Sequence, residues 1–571
     1  MKTNWGEQLD PSNLLMEYPR PQMERDSYLN LNGAWQYAIT ETEDSPDQFD
    51  GDILVPFSPE SELSGVLRTL LPTQTLWYRR IFCLPADFNV GRVLLHFGAV
   101  DQVATVYVNN TEVCTHMGGY TPFGADITAC LADENTILVK VRDGSDTSFQ
   151  SRGKQKSKRG GIWYTAQSGI WQTVWMESVP TDYIHTLHIT PLFDESALEL
   201  TVVSQSNQLC SAKVGETEVT FSSNEPVKLP MMQFTPWTPE HPYLYDLEVT
   251  MGADHVKSYF GMRKYSVGID DNGVKRLFLN NKPYFHNGLL DQGYYSDGMY
   301  TAPCDEAMIF DIQTAKDMGF NMLRKHIKIE PLRWYYHCDR IGMLVWQDMI
   351  NGGGDYKAMT ITSPLVTGIH FNDHHYQWFA RQDAQGREQY RRELDEMIRH
   401  LYNAVSIAMW VPFNEGWGQF DAGDAVQRIL KLDATRTIDH ASGWHDQKIG
   451  DVKSLHVYFR KYRFKQDKLL RAVILSEFGG YNFRVNGHCF NEKDFGYKRF
   501  ETTDALLEAY RNLYENEILP AKRQGLCATV YTQLTDVEDE LNGLITYDRK
   551  VVKMPMEALK EINEKLNDQR T

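Results

Sequence analysis

The sequence predicts a multidomain chain of β and α/β parts. A jelly-roll β-sandwich is expected over residues 1–182, an Ig-like β-sandwich over 183–267 and a (β/α)8 TIM barrel over 268–571. Three observations lead there. Short alternating stretches with frequent turns fill roughly the first 180 residues, and about 80 more continue the same period-two pattern. After Gly268, apolar strand-like runs begin to alternate with helical ones. At roughly 150 residues per domain, 571 residues accommodate three or four cores.

In the first part, residues 92–97, 104–108 and 136–141 alternate and are rich in β-branched side chains. Turn signals at Asn109-Asn110, Gly118-Gly119 and Asp143-Gly144 separate them. Many short strands with frequent turns fit a sandwich or jelly roll. The basic, Gly-rich segment Ser151-Arg-Gly-Lys-Gln-Lys-Ser-Lys-Arg-Gly-Gly161 is expected to be a long exposed loop. In the second part, residues 185–190, 198–203 and 244–250 carry the period-two pattern, and the length suits a small Ig-like sandwich. In the third, strands are expected at 283–287, 321–325, 343–347, 407–411, 437–440, 455–458, 472–475 and 528–531, with helices at 305–318 and 331–340. Eight strands in about 300 residues fit a (β/α)8 barrel. No G-x-G-x-x-G turn follows any of them, which disfavours an open doubly wound sheet.

Composition narrows the function classes. With 58 basic and 76 acidic side chains the formal charge is −18, and no sustained basic stretch suggests a nucleic-acid partner. Hydrophobic residues at 42% and charged ones at 23% exclude wholesale disorder. No apolar run reaches membrane-spanning length and no signal-peptide core opens the chain, so no membrane partner and a cytoplasmic location are expected. The eight cysteines are scattered without a C-x-x-C pair, as reduced thiols would be. His374-His375 beside Asp373 lacks spaced partners, so no metal site is expected.

Active residues of such barrels lie at the C-terminal ends of strands. Two glutamates stand there: Glu415, after Ile407-Ala-Met-Trp-Val-Pro-Phe-Asn, and Glu477, after Ala472-Val-Ile-Leu-Ser. Taken singly, each reads as a salt-bridged or solvated strand-end carboxylate. Together, on the fourth and seventh strands, they face each other across the mouth. Glycoside hydrolysis requires such a pair: one acid, and one anion on the opposite face of the sugar.

Asn414-Glu415-Gly416-Trp417 and Leu475-Ser-Glu477-Phe-Gly-Gly480 resemble the catalytic pair of glycoside hydrolase family 2, the β-galactosidases, β-glucuronidases and β-mannosidases. Leu29-Asn-Leu-Asn-Gly-Ala-Trp35, Val55-Pro-Phe57, Leu76-Trp-Tyr-Arg79 and Ser168-Gly-Ile-Trp171 resemble its sugar-binding jelly roll. Phe260-Gly-Met-Arg-Lys264 resembles the junction into the barrel, and Phe320-Asn-Met-Leu-Arg324 the second barrel strand. The resemblance covers nearly the whole chain. It implies that Glu415 is the general acid/base, Glu477 the nucleophile and Asn414 a partner of the sugar 2-hydroxyl. It implies no cofactor and a homo-oligomer. The acid needs a raised pKa, which desolvation beside Trp410 or Trp417 and the charge of Glu477 would supply. Arg324 is placed by the resemblance near the nucleophile. Asp291, Trp346, Asp348, Trp444, His445, His456 and Gln533 sit at or just after barrel strands, where they would line the sugar subsite or simply pack.

Two departures bear on the substrate. Many members carry a Ser-His-Tyr-Pro-type segment after the second-strand arginine. Here Arg324-Lys-His-Ile-Lys-Ile-Glu-Pro331 puts Ile327 at the histidine's place, with His326 one residue earlier. β-Glucuronidases read the substrate carboxylate with Asn-x-Lys near the end of the barrel; here Glu540 and Asn542 stand there. An acidic residue would repel a uronate. Lys325, Lys328, Arg333, Arg460, Lys461, Arg463 and the 154–159 loop offer other cations near the mouth. The expected function is a retaining, exo-acting β-glycosidase acting on a small carbohydrate or glycoside, most like a β-galactosidase. A β-uronidase, galacturonide before glucuronide, is the alternative. A carbohydrate-binding protein without catalysis, or a scaffold assembled through the β domains, are the non-enzyme readings.

Overall fold

The structure, a computed structural model, describes residues 1–567. In the first sandwich, one antiparallel sheet runs in the order Gly51–Val55, Gly33–Thr40, Thr75–Phe82, Asn135–Arg142, Val103–Val108, Thr111–Met117. The facing sheet runs Leu29–Asn30, Val174–Val179, Arg92–Phe97, Phe123–Asp126. Alternate residues of both sheets, among them Trp35, Leu76, Val106, Val139, Phe97 and Met176, form its core. The second sandwich packs a three-stranded sheet (Thr186–Leu192, Ala197–Val203, Val227–Pro230) on a four-stranded one (Thr217–Ser222, Leu209–Val214, Tyr245–Met251, Asp254–Phe260). Ile189, Leu200, Ala212 and Val249 lie between them.

A ribbon of Tyr265–Ile269, Lys275–Leu279 and Lys282–Pro283 follows. Its Leu277 and Leu279 join the buried cluster of Met322, Leu344 and Ile474, so the ribbon plugs the N-terminal end of the barrel. This corrects the first expected barrel strand. Asn280 and Asn281 both take the left-handed conformation that a tight hairpin needs, which turns Pro283 back against Phe278. The strand proper starts three residues later.

The barrel strands are β1 (His286–Asp291), β2 (Met322–Lys325), β3 (Leu344–Asp348), β4 (Ile407–Val411), β5 (Thr437–Ile438), β6 (Val452–Val457), β7 (Ala472–Gly479) and β8 (Leu526–Thr532). All pair in parallel, in the order β5-β4-β3-β2-β1-β8-β7-β6. Between β5 and β6 the amide of Asp451 donates to the Ile438 carbonyl at 3.1 Å and the Asp451 carboxylate accepts from the Ile438 amide at 2.8 Å. Inward residues such as Leu290, Met322, Trp346, Met409 and Val530 fill the lumen. Outward ones such as Leu289, Leu323, Val345 and Leu475 meet the surrounding helices. These include α1 (Asp305–Asp317), α2 (Leu332–Ile341), α3 (Ala384–Leu401), α4 (Ala422–Leu432), α5 (Thr503–Leu513) and α6 (Met556–Asn567). Among the described residues, no helix is long and apolar enough to cross a membrane.

The basic segment is not the exposed loop expected of it. Ser151, Arg152 and Gly153 are buried against the barrel. The amides of Arg152 and Gly153 donate to the Asn351 carbonyl at 2.9 and 3.1 Å. Backbone polar groups need partners once they leave water, and the segment after β3 supplies them.

Arg25 joins the two sandwiches. Its guanidinium donates to Asp254 at 2.9 and 2.8 Å and to the Ile184 carbonyl at 2.7 Å, and it lies 3.3 Å from Glu177. All three charged side chains are buried. Removing one partner of a buried ion network strands the others. Arg25→Met is therefore expected to cost about 3–5 kcal/mol of stability, read as an earlier chemical-denaturation midpoint.

Candidate active site

At the C-terminal mouth of the barrel, strand ends bring together the charged side chains. Inward positions on β2 and β3 carry Arg324 and Asp348. Arg324 makes a fork–fork pair with Asp348, both bonds at 3.0 Å. It also donates to Glu477 at 3.2 Å, to the Ser476 carbonyl at 3.2 Å and to the Asn414 side-chain oxygen at 2.9 Å. Asp348 in turn meets His326 Nδ1 at 2.7 Å. Burial, the largest influence, pushes the His326 imidazole well below its ordinary value. The neutral ring therefore donates Nδ1–H to Asp348. Its Nε2, like Nδ2 of Asn414, is buried with no partner among the described residues.

Glu477 reaches the lumen through an irregularity. Pairing of β6 with β7 slips after Leu455, so that His456 faces Glu477 while Leu455 faces Leu475. This bulge adds Ser476 and turns the carboxylate inward at a place where strict alternation would hide it. Tyr458 donates to Glu477 at 2.6 Å, and its ring stacks on Tyr497 at 3.7 Å between centroids.

Glu415 sits past β4 in the left-handed region, with φ of 51°. A non-glycine residue there is strained, and such strain clusters at functional sites. The Glu415 amide donates to the Ser442 carbonyl at 2.9 Å. Gly416 follows with φ of 73°, and a Cβ on it would come within 2.6 Å of His445. The Glu415 carboxylate takes His456 Nδ1 at 2.7 Å and the Trp417 indole N–H at 3.1 Å. Burial pushes this carboxyl up, but His456, Lys154 and Trp417 together outweigh it and hold it below its ordinary value. The raised acid expected from the sequence is thus overturned for the free protein. The side chains of Glu415, His456 and Glu477 each offer one atom within 4.8 Å of the others. Such a group could also hold a metal ion.

Three family profiles match the chain: "Glycosyl hydrolases family 2, sugar binding domain" over residues 65–180, "Glycosyl hydrolases family 2" over 182–263 and "Glycosyl hydrolases family 2, TIM barrel domain" over 272–567. The chain belongs to glycoside hydrolase family 2. It is 25% identical over 408 residues to a β-galactosidase of Thermoanaerobacter pseudethanolicus, covering 66% of this chain and 50% of that protein. It is 23% identical over 451 residues to a β-glucuronidase of Streptococcus agalactiae, covering 73% and 71%. The chain spans about half the length or less of the first curated relatives it matches. In fold it superposes on the β-D-glucuronidase of Dictyoglomus thermophilum with a TM-score of 0.74 at 17% identity, covering 96% of this chain and 98% of that one.

Of the residues that the sequence singled out in this family 2 chain, Glu415, Glu477, Asn414, Arg324, His326, Asp348 and His456 form one connected cluster. Trp444 stands at its rim, 6.3 Å from the His456 ring. Four others are not brought in. Asp291 points outward from β1 and pairs with Lys325 at 2.6 Å. Trp346 lies one layer deeper, filling the lumen and donating to His286 at 2.9 Å. His445 pins a neighbouring segment: it accepts from the Phe371 amide at 3.1 Å and meets the Thr360 carbonyl at 3.0 Å. Gln533 is satisfied by Gln292 and Asn542, both at 2.9 Å. Trp410 is not beside Glu415 either; it faces outward and donates to Asp433.

Two participants were missed as site residues. Tyr458 ends the sixth strand just as the glutamates end theirs, so the same strand-end argument reaches it. Trp163 of the first sandwich was the other. Together with Tyr356 and Trp417 it forms a half-buried aromatic cluster against the Glu415 side, with ring centroids 5.1–5.9 Å apart. No local pattern marks that meeting of three distant segments. A cavity of about 350 Å³ lies elsewhere, between sandwich and barrel beside Trp171, Trp175 and Arg333, and touches neither glutamate.

His456 is the largest of the influences that lower Glu415. In His456→Asn the Glu415 carboxyl is expected to titrate at higher pH, followed by difference infrared spectroscopy against Glu415→Gln.

Proposed function

We propose that this family 2 chain hydrolyses terminal β-glycosides with retention of configuration. One observation carries the reading: the Glu415 and Glu477 carboxylates approach within 4.8 Å across the barrel mouth. Retaining enzymes keep their carboxyl groups about 5–5.5 Å apart, whereas inverting ones leave about 6.5–9.5 Å for a water.

Glu477 is the nucleophile. Arg324 and Tyr458 fix its carboxylate by one bond on each oxygen, so its attack on the anomeric carbon needs little reorganisation. As that bond forms, the glycosidic C–O bond breaks and Glu415 passes a proton to the leaving oxygen. Glu415 must carry a proton at that moment, so binding of the sugar has to lift its carboxyl above the value it holds in the free protein. In the second step Glu415 takes a proton from water, the water oxygen attacks the anomeric carbon and Glu477 departs as carboxylate. Asn414 Nδ2 and His326 Nε2, buried and unpartnered, suit sugar hydroxyls. A bound sugar would relieve the cost of leaving them unmade.

The expectation of a neutral β-galactoside rested on repulsion at Glu540. That carboxylate accepts from the Tyr164 hydroxyl and from Asn542, the latter at 3.0 Å. Both oxygens are held by neutral donors, which fixes the carboxylate but leaves its charge in place, so an acidic sugar would need a cation facing it.

Glu477→Gln is expected to lower kcat/KM on an aryl β-glycoside by at least about 10³-fold, roughly 4 kcal/mol of transition-state stabilisation. Proton NMR of the first-formed sugar should show the β anomer. An α anomer as first product would sink the retaining reading, and full activity of Glu477→Gln would sink the site.

A further inference from the structure

The first sandwich reaches over the barrel mouth through the segment that follows Gln150. Gly153 packs so closely on the chain after β2 that a Cβ there would lie 3.1 Å from both the Ile327 carbonyl and the Tyr300 hydroxyl. The next residue, Lys154, is tied by its own carbonyl to the Tyr164 amide at 2.9 Å. Its backbone is therefore held between the two domains, beside the residue that follows His326. The Lys154 side chain is half-buried and makes no hydrogen bond or ion pair with any described residue. Its charge is nevertheless felt at Glu415, Asp348 and His326, three members of the central cluster. The ammonium stands close to the sugar subsite without closing on any of its carboxylates.

The other cations near the mouth are either paired or solvent-exposed. Arg152 caps the Gly353 carbonyl. Lys156 lies over the Trp163 ring at 4.4 Å, and Arg159 pairs with Asp539 at 2.8 Å. Lys325 pairs with Asp291 and Glu330 at 2.6 and 2.8 Å, and Lys328 donates to two carbonyls and to Glu330. Arg333 is held by Asp305. Arg460, Lys461 and Arg463 are exposed.

We propose that Lys154 binds the carboxylate of a hexuronic acid in the sugar subsite, so that the preferred substrate is a β-uronide. This rests on the hydrolase reading above. A half-buried ammonium without a protein partner gains most from an anion, which neutralises its charge as well as accepting its hydrogen bond. A neutral hexoside presents only a hydroxymethyl group at the position where a uronide carries its charge. The site would then read acidity from the first sandwich, while in the barrel Glu540 and Asn542 stand in place of the Asn-x-Lys pair.

The test compares 4-nitrophenyl β-galacturonide, β-glucuronide and β-galactoside, which share one neutral leaving group, on the wild-type chain and on Lys154→Met and Lys154→Arg. One of the uronides should exceed the galactoside in kcat/KM by about 100-fold or more. Lys154→Met should cut the uronide value by a similar factor, mostly through KM, with partial rescue by Lys154→Arg. A wild-type preference for the galactoside overturns the proposal. So does an equal loss on all three substrates accompanied by a shifted pH profile, because Lys154 would then act only on Glu415. Calorimetric binding of free galacturonate and glucuronate to Glu477→Gln, with and without Lys154→Met, separates this proposal from the reaction. Lys154-dependent binding without turnover of any substrate in the wild type would remove the hydrolase reading and keep the subsite; turnover of a uronide with Lys154-independent binding would do the reverse.

Discussion

Arg324 is wholly buried at the head of the barrel, and its donors are shared among Asp348, Glu477, Asn414 and the Ser476 carbonyl. A guanidinium cannot shed its proton, so burying it commits the surrounding structure to supplying acceptors in a planar fork. The geometry of the cluster follows from that commitment. Asp348, fixed by two bonds, selects the His326 tautomer. Glu477 is oriented from one side by the guanidinium and from the other by Tyr458. Asn414 gives its oxygen to Arg324, which turns its amide nitrogen toward the lumen and sets the register of the residue after it, Glu415.

The backbone departs from regular geometry where these side chains need it to. A bulge in β7 turns Glu477 inward, and a left-handed residue after β4 directs Glu415 back toward the axis. Gly443, with φ of 82°, lets the chain after β5 pass against the His456 ring, since a Cβ would lie 2.5 Å from it. Regular strands would place acceptable side chains at these positions but aim them elsewhere. Rigid packing of the lumen beneath, through Trp346 and its layer, keeps the strained ends from relaxing.

Much of this was readable in the sequence because it depends on local pattern. The barrel strands are short apolar runs, and the two glutamates are charges at the ends of such runs. What escaped depends on which way a side chain points or on contacts between distant segments. Asp291 and Trp346 ended or filled strands like true site residues, yet strand alternation sends one outward and the other a layer down. Pro283 belonged to a hairpin whose Asn280-Asn281 turn was a legible signal left unused. The basic segment at 151–161 read as solvated because its charges dominate its composition, while its small residues are what allow it to dock. The lowered pKa of Glu415 arises chiefly from His456, 41 positions away in sequence, and no local pattern carries that.

The docked segment places part of the active-site rim outside the catalytic barrel. Glu415 and Glu477 sit at or just past strand ends whose packing tolerates little change, whereas Lys154 and Trp163 sit on a loop anchored in another domain. Such an arrangement lets drift or insertion reshape the rim through the sandwich loop while the strand ends of the barrel stay untouched. Two chains of this architecture could then share every barrel residue of the cluster and still differ at the rim.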